Sequence, residues 1–248
     1  MRLTAALMIL LFSLLAEAQE RVLVPLAFAE VPGANGSRWT AAVTLFNGGT
    51  TAARFIPSPR LCPSSSPVCN PPLDYTLQPG ALLHMPYGFA FGHGRQGIMI
   101  EFLTGDAAAI AVHVRIRELS RGADAVGTEL RAVRAHEMLT GVSQLIDVTT
   151  GPSLRTTLRI YRTDTGEPSP FSVAVFGDSA DPLHEQITIV PGATPDGIVP
   201  GFAALFLPSG AGERQRIRVE PLATGVRYWT FASVTNNESN LFTTITPN

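Results

Sequence analysis

The residues with the clearest chemical potential lie in one short segment, where Asp178 and Ser179 are followed by His184. A serine becomes a nucleophile when a histidine accepts its proton and a carboxylate orients that histidine. The preceding residues 173–176 have the apolar, β-branched composition of a strand, which would present the serine at a turn. The segment is a candidate catalytic site, and its context decides whether the chemistry is feasible.

The segment Val-Ala-Val-Phe-Gly-Asp-Ser at 173–179 resembles the first block of GDSL-type esterases, and Asp181-Pro182-Leu183-His184 resembles their Asp-x-x-His element. The resemblance implies a Ser179 nucleophile and a His184 base on an α/β fold. In that family the block begins the domain, whereas here only 248 − 179 = 69 residues follow the serine. No Gly-x-Asn-Asp element and no series of amphipathic helices accompanies it. We interpret Gly-Asp-Ser-Ala-Asp-Pro as a β turn and predict a non-catalytic protein without a cofactor.

Histidines and carboxylates give no complete metal site. The five histidines are His84, His93, His113, His136 and His184. None of them belongs to a His-x-x-x-His or Glu-x-x-His pair. His84 and His93 bracket a hairpin-like segment and could approach each other, but two imidazoles leave a tetrahedral site incomplete. No Asp-x-Asp-x-Asp-Gly calcium loop occurs. We therefore predict no bound metal.

The two cysteines, Cys62 and Cys69, lie close together in a segment rich in proline and serine. In an exported protein this spacing favours a local disulfide, which would stabilise the fold by about 2–3 kcal/mol. A thiolate metal pair is the alternative, but two thiolates alone do not complete a tetrahedral site.

One aromatic segment is a candidate ligand surface. Tyr87, Phe89 and Phe91 alternate with small residues, so their rings would share one face of a strand. If exposed, that face would be a stacking platform for sugars or a patch for a protein partner. If buried, it would belong to the core, and this interpretation is favoured because aromatic rings dominate sandwich cores. Trp39 and Trp229 each lie in a strong strand pattern and are predicted to be core residues.

The N-terminal residues predict export. Arg2 precedes an apolar run at residues 3–15, and Ala16-Glu17-Ala18 forms a small-x-small cleavage site. These features are typical of a secretory signal peptide, so we predict a secreted or periplasmic mature chain. No later run reaches the roughly 18 apolar residues of a membrane-spanning helix. The formal net charge of −2 gives no general attraction to nucleic acid or to an anionic membrane.

The remaining sequence predicts an all-β chain. Charged residues make up only 15% of it, and 22 glycines and 20 prolines separate short runs rich in Val, Thr, Ile and Phe. The clearest alternation spans residues 109–119, where apolar positions alternate with His113 and Arg115. Residues 129–139 fit either a short helix or a strand.

An internal repeat indicates two copies of one module. Residues 43–46 match residues 158–161 at an offset of 158 − 43 = 115, and residues 100–103 match residues 219–222 at 219 − 100 = 119. Offsets that drift by a few residues are expected when loops differ in length.

The boundary between the copies is placed in residues 120–128, which are small, polar and contain glycine. We therefore predict a signal peptide at 1–18 and two tandem immunoglobulin-like β-sandwich domains at 19–127 and 128–248. Short strands separated by roughly 10–15 residues are typical of such sandwiches.

Short patterns in both halves resemble those of exported, largely uncharacterised tandem β-sandwich proteins of environmental bacteria. The patterns are Val31-Pro32-Gly33-Ala34-Asn35-Gly36-Ser37-Arg38-Trp39-Thr40, Leu45-Phe46-Asn47 and Phe231-Ala232-Ser233-Val234-Thr235-Asn236-Asn237. The resemblance implies a fold and a location, and it supplies no catalytic residues.

These observations predict an exported, non-catalytic binding or structural module, for adhesion or cell-surface assembly, with an unidentified protein or glycan partner. One alternative is a carbohydrate-binding protein that uses Tyr87, Phe89 and Phe91. The other is an esterase built on Ser179. The functional surface is expected in the disulfide loop, in the aromatic segment, or at the boundary between the two domains near residues 120–128.

Overall fold

A computed structural model describes the chain in nine stretches, which are residues 20–28, 30–58, 74–85, 97–121, 126–164, 167–177, 183–192, 200–207 and 214–248. These residues form β-strands joined by turns and by short 3-10 helices, and the described part of the chain contains no α-helix. The strands make four antiparallel sheets. The predicted all-β class is confirmed.

The first half of the chain forms two sheets that pack face to face. Its strands are β1 Arg21–Val24, β2 Val31–Pro32, β3 Arg38–Asn47, β4 Ala53–Ser58, β5 Tyr75–Leu77, β6 Leu82–Met85, β7 Ile98–Thr104, β8 Ile110–Glu118, β9 Thr128–Leu130 and β10 Val133–Arg134. Sheet 1 has the order β10-β1-β7-β4-β5, and sheet 2 has the order β2-β3-β8-β9, with β6 also paired to β3. Apolar side chains from both sheets share one core, so this unit is the first sandwich.

The second half repeats this construction. Its strands are β11 Ser143–Thr149, β12 Leu154–Arg162, β13 Phe171–Phe176, β14 Leu183–Ile189, β15 Gly201–Phe206, β16 Arg214–Pro221, β17 Tyr228–Asn236 and β18 Phe242–Ile245. Sheet 3 has the order β11-β16-β13-β14, and sheet 4 has the order β15-β12-β17-β18. These two sheets enclose a core of their own and form the second sandwich. The 3-10 helices of the described residues are Ala34–Gly36, Ala107–Ala109, Leu119–Arg121 and Ala135–Glu137.

The strand pairing of the first sandwich recurs in the second. In one sheet of the first sandwich β3 pairs with β6 and β8, and in the second sandwich β12 pairs in the same way with β15 and β17. In the other sheet β7 pairs with β1 and β4, and its counterpart β16 pairs with β11 and β13. In the β3–β8 pair Val43 lies opposite Val114, and in the β12–β17 pair Leu158 lies opposite Ala232. Val43 and Leu158 are both fully buried, so the predicted match between their segments joins equivalent core positions.

The strand order differs from that of an immunoglobulin domain. Strands β7 and β8 follow each other through a single 3-10 turn, yet they lie in opposite sheets. In an immunoglobulin domain the consecutive strands F and G share one sheet. The sandwich architecture is therefore as expected, while the topology within it is distinct.

The first sandwich extends past the predicted division at residue 127. Strand β9 pairs with β8, and strand β10 pairs with β1, so residues up to Arg134 belong to its sheets. The sequence allowed either a short helix or a strand for residues 129–139. They contain the last two residues of β9, the whole of β10 and the 3-10 turn Ala135–Glu137. The division of the chain into two independent domains stays a prediction.

Three predicted features lie outside the described residues. They are the signal peptide at 1–18, the disulfide between Cys62 and Cys69, and the aromatic face of Tyr87, Phe89 and Phe91. Within the described stretches, no helix is long and apolar enough to cross a membrane.

Candidate functional site

The central strand β17 of sheet 4 is buried on both of its faces. In β17 every residue from Tyr228 to Thr235 is buried. Tyr228 and Ala232 belong to the core of the second sandwich, whereas Trp229 and Phe231 belong to the core of the first. Because successive side chains on a strand point to opposite faces, the outer face of sheet 4 lies against the first sandwich. We call this contact the seam.

Tyr161 on β12 makes a deeply buried polar contact across the seam. Its hydroxyl donates a hydrogen bond to the main-chain carbonyl of Pro25, which follows β1 in the first sandwich. Its ring is stacked parallel to that of Phe231 at 6.1 Å and lies 5.2 Å from that of Phe202. Burial raises the pKa of Tyr161 well above its usual range, against a smaller opposing effect of Arg159. The residue is therefore held in its neutral form, which can donate to the carbonyl.

Gly97 makes room for Tyr161. A Cβ atom at position 97 would lie 2.8 Å from the Tyr161 ring and 2.9 Å from the carbonyl oxygen of Val24. Contacts this short do not occur for real side chains, so a glycine at this position allows the two sandwiches to approach closely.

Further contacts join the two sandwiches at the edges of the seam. The Thr128 hydroxyl donates to the carbonyl of Phe242 over 2.8 Å, and the Asn35 side-chain amide donates to the carbonyl of Asn237 over 2.7 Å. The guanidinium of Arg131 lies 5.5 Å from the centre of the Trp229 ring, within the range of a cation–π contact. The seam therefore combines an apolar centre with polar contacts at its margin.

The apolar centre is not completely filled. A groove of about 190 Å³ opens between the outer face of sheet 4 and the end of the first sandwich, and we call it the seam groove. The first sandwich contributes Leu26, Phe28, Val31, Pro32, Gly33, Trp39 and Ile116; sheet 4 contributes Arg155, Thr157, Arg159, Phe202, Ala204, Phe206, Ser233, Thr235 and Phe242. For comparison, an apolar cavity of about 150 Å³ can hold benzene. The groove is therefore large enough for one ring-sized group.

Aromatic rings form much of the wall of the seam groove. Trp39 and Phe242 face each other with ring centres 6.0 Å apart, in a tilted arrangement. Phe206 lies at the mouth on β15, and 63% of its surface is exposed. A phenylalanine that is this exposed does not belong to the core. Exposed apolar residues next to a groove are typical of a recognition surface.

The charged residues among the described lining of the groove are two arginines of β12. Arg155, Thr157 and Arg159 are alternate residues of β12, so all three side chains lie on the groove face of sheet 4. Among the described residues that line the groove there are two arginines and no Asp or Glu. The described lining of the groove therefore combines an apolar wall with two arginine side chains.

A second cleft, of about 830 Å³, lies at the opposite side of the first sandwich near Glu20, Asp106 and His136. Its central cation, Arg134, donates to the carbonyls of Ala107 over 3.1 Å and of Ile110 over 2.6 Å. Arg134 thus stabilises the turn between β7 and β8, which is a structural role. We regard this cleft as the weaker candidate.

Both tryptophans are buried, as predicted for core residues. Trp39 is 8% exposed and Trp229 is 4% exposed, and both belong to the core of the first sandwich. Trp39 also lines the seam groove, a second role that the sequence pattern did not indicate.

The histidines that the structure describes are not brought together. His84 shares a hydrogen bond of 2.8 Å with Thr44, and His113 contacts Glu129 at 3.1 Å, on the exposed face of sheet 2. His93 lies outside the described residues. Within the described stretches, no cluster of three or more His, Cys, Asp or Glu residues could hold a metal ion.

The esterase-like segment lies at a β-hairpin. Strand β13, which contains residues 173–176, pairs with β14 in antiparallel register, with Val175 opposite Glu185. Residues 178–182, which include Ser179, are outside the described residues. The α/β context that the esterase motif requires does not occur in the described part of the chain.

The groove residues on β12 and β15 were not identified from the sequence. Phe202 and Phe206 lie four positions apart with Ala204 between them, which is a strand face, but the pattern does not show what that face contacts. A usable signal was present in β17, where residues 228–234 contain no charged side chain and do not show the strict apolar–polar alternation of a half-exposed strand.

The chain was compared with protein-family models, with curated proteins and with solved structures, and nothing matched in any of the three comparisons. Its functional assignment therefore depends on the geometry described above.

Proposed function

We propose that the protein is an exported, non-catalytic binding module that takes a small ligand into the seam groove. The observation that carries the proposal is an incompletely filled groove with aromatic walls and two arginines on one strand face. Export is supported by the signal-peptide pattern at residues 1–18. Binding sites are commonly concave, mostly apolar and placed at the contact between domains.

The surroundings of the groove favour binding over chemistry. No Asp, Glu or His is among the described residues that line it, so none of them supplies a general base of ordinary type. The groove walls come from strands on both sides, so the backbone that carries them is held by sheet pairing. A preformed wall of this kind lowers the entropy cost of binding.

The test uses tryptophan fluorescence. The variant Trp229→Phe leaves Trp39, in the groove wall, as the single tryptophan. A panel of ring-sized compounds, neutral, anionic and cationic, is titrated against this variant. We expect at least one compound to change the Trp39 emission saturably.

A groove-filling variant provides the control. Ala204 lines the groove and is exposed, so Ala204→Phe fills the space without disturbing a core position, and it should abolish the response. Thr188→Phe adds the same ring on an exposed position of β14, away from the seam, and should leave the response intact. The proposal fails if no compound gives a saturable response, or if the response survives Ala204→Phe.

A further inference from the structure

We infer that strand β15 is a self-association site, where β15 of a second copy of this chain adds to sheet 4 in antiparallel orientation. The inference goes beyond the proposed function and does not depend on a ligand. Three features of β15 support it: the direction of its backbone groups, the lack of charge along it, and its fit to a second copy of itself.

Alternate backbone groups of β15 point away from sheet 4. In the described part of the chain β15 is an edge strand, and β12 is the strand to which it pairs. The N–H of Leu207, just after β15, donates to the carbonyl of Thr156 over 3.0 Å. Because hydrogen-bonded and non-hydrogen-bonded pairs alternate along an antiparallel ladder, the odd-numbered residues of β15 bond to β12. The even-numbered residues therefore direct their N–H and C=O groups outward.

The outward groups of β15 are available at one end of the strand. At the other end, the carbonyl of Phe202 accepts a hydrogen bond from the N–H of Gly192 at 3.5 Å. Within the described stretches, the outward backbone groups of Ala204 and Phe206 have no backbone partner. Both of these residues are also exposed, so a further strand could reach their backbone.

The edge of β15 lacks the usual protection against strand addition. Native edge strands are commonly blocked by charge, proline, bulges or short length. Strand β15 has the sequence Gly-Phe-Ala-Ala-Leu-Phe, and its pairing with β12 shows no shift in register. The other described edge strands longer than four residues are β11, with Asp147 and a shift in register, and β14, with Glu185 and another shift. At the opposite edge of sheet 4, the short strand β18 already accepts the Thr128 hydroxyl at its Phe242 carbonyl.

The sequence of β15 fits a second copy of β15. Two copies can pair about a two-fold axis, the commonest symmetry of homo-oligomers. With the axis at Leu205, Ala204 lies opposite the partner's Phe206, and the outward N–H and C=O groups of both residues in both copies are paired. A large ring then lies beside a small side chain, and neither strand brings a charge into the contact. A charged peptide strand would instead place its charges against this apolar edge.

The position of the axis follows from Gly192. An axis at Ala204 would require the Phe202 carbonyl, to which the Gly192 N–H already donates, whereas an axis at Leu205 uses only Ala204 and Phe206. The two four-stranded sheets would then form one continuous sheet. Because Ala204 lines the seam groove, the partner's Phe206 would add a ring beside the groove wall.

The first test is sedimentation equilibrium of residues 19–248 without ligand. We expect the average mass to rise from that of a monomer toward twice that value between about 10 µM and about 1 mM, because the pairing of two short strands gives a small, weak interface. Phe206→Lys places a charge on the exposed edge and should remain monomeric. Ala204→Pro removes one outward N–H and should do the same. Thr188→Lys is the matched control on β14 and should associate like the wild type.

The second test is disulfide formation between copies. Residues of a hydrogen-bonded antiparallel pair have Cα atoms about 5.5 Å apart, which a disulfide can span. An equimolar mixture of Ala204→Cys and Phe206→Cys proteins should therefore form a dimer, with the link between positions 204 and 206 identified by mass spectrometry. Either variant alone should not link through its new cysteine, because identical positions are diagonal neighbours about 7–8 Å apart.

The outcomes separate this inference from the proposed function. A mass that stays monomeric at about 1 mM, or that rises equally in Phe206→Lys and Ala204→Pro, overturns self-association through β15. Linkage of Ala204→Cys to itself in place of the mixed pair overturns the pairing about Leu205. If ring compounds bind in the groove of a protein that does not associate, only this inference fails. If the protein associates through β15 and no compound binds, only the proposed function fails.

Discussion

Tyr161 and Pro25 join the two sandwiches through one buried hydrogen bond, in which the tyrosine hydroxyl of β12 donates to the main-chain carbonyl after β1. Both residues are buried, so water cannot replace the donor if it is removed. An unsatisfied buried polar group costs about 1–3 kcal/mol. We therefore expect the stability of each sandwich to depend on its contact with the other.

The variant Tyr161→Phe keeps the ring and removes only the hydroxyl. We expect it to lower the free energy of unfolding by about 1–3 kcal/mol, because the Pro25 carbonyl loses its partner. Chemical denaturation followed by far-UV circular dichroism measures the change. An unaltered midpoint and slope would show that this hydrogen bond does not contribute.

The variant Gly97→Ala tests how closely the sandwiches approach. Its Cβ would lie 2.8 Å from the Tyr161 ring and 2.9 Å from the Val24 carbonyl oxygen, so the seam must open. We expect a loss of about 1–3 kcal/mol, as for other overpacked sites. Gly141→Ala is the matched control, because a Cβ there meets no atom within 4 Å and its φ is not positive. Equal melting temperatures for the two variants would contradict a tight seam.

Alkaline pH should destabilise the protein through its buried tyrosines. Burial raises the pKa of Tyr161 and of Tyr228, so the folded state keeps protons that the unfolded state releases near pH 10. The free energy of unfolding should therefore be fully retained below about pH 10 and should fall as the pH rises above it.

The absence of lysine makes the alkaline effect easy to isolate, since tyrosine is the side chain that titrates near that pH. Denaturation of the wild type and of Tyr161→Phe between about pH 8 and pH 11 measures it. The variant should show a shallower decline. A wild-type stability that does not change over this range would contradict a buried, neutral Tyr161.

The shared core predicts cooperative unfolding of both sandwiches. Tyr161, Trp229 and Phe231 come from the second sandwich but pack in the core of the first. Tryptophan fluorescence, which reports on the seam, and far-UV circular dichroism, which reports on both sandwiches, should give coincident transitions. Two transitions at separate denaturant concentrations would show that the sandwiches unfold independently.

Strand positions could be predicted from local patterns, because a half-exposed strand alternates visibly. In β8, Ile110, Val114 and Ile116 are buried while His113 and Arg115 are exposed, as the sequence indicated. The repeat was also detectable, since Val43 and Leu158 occupy equivalent buried positions in β3 and β12.

The seam could not be predicted from those patterns. Alternation shows that a strand has two faces, but it does not show which sheet a strand joins or what its outer face contacts. The Thr128–Phe242 contact joins residues 114 positions apart, and the Tyr161–Pro25 contact joins residues 136 positions apart. The polar stretch expected to separate the halves is followed at once by β9, which binds to the first sandwich.

The most direct test of binding in the seam groove is an NMR titration of residues 19–248 with the compound that gives the largest saturable change in Trp39 emission, in which backbone amide shifts are followed residue by residue. We predict that the largest, saturable shift changes occur at Arg155, Thr157 and Arg159 of β12 and at Phe202, Ala204 and Phe206 of β15. Shift changes confined to other surfaces, or no saturable change at all, would contradict the account.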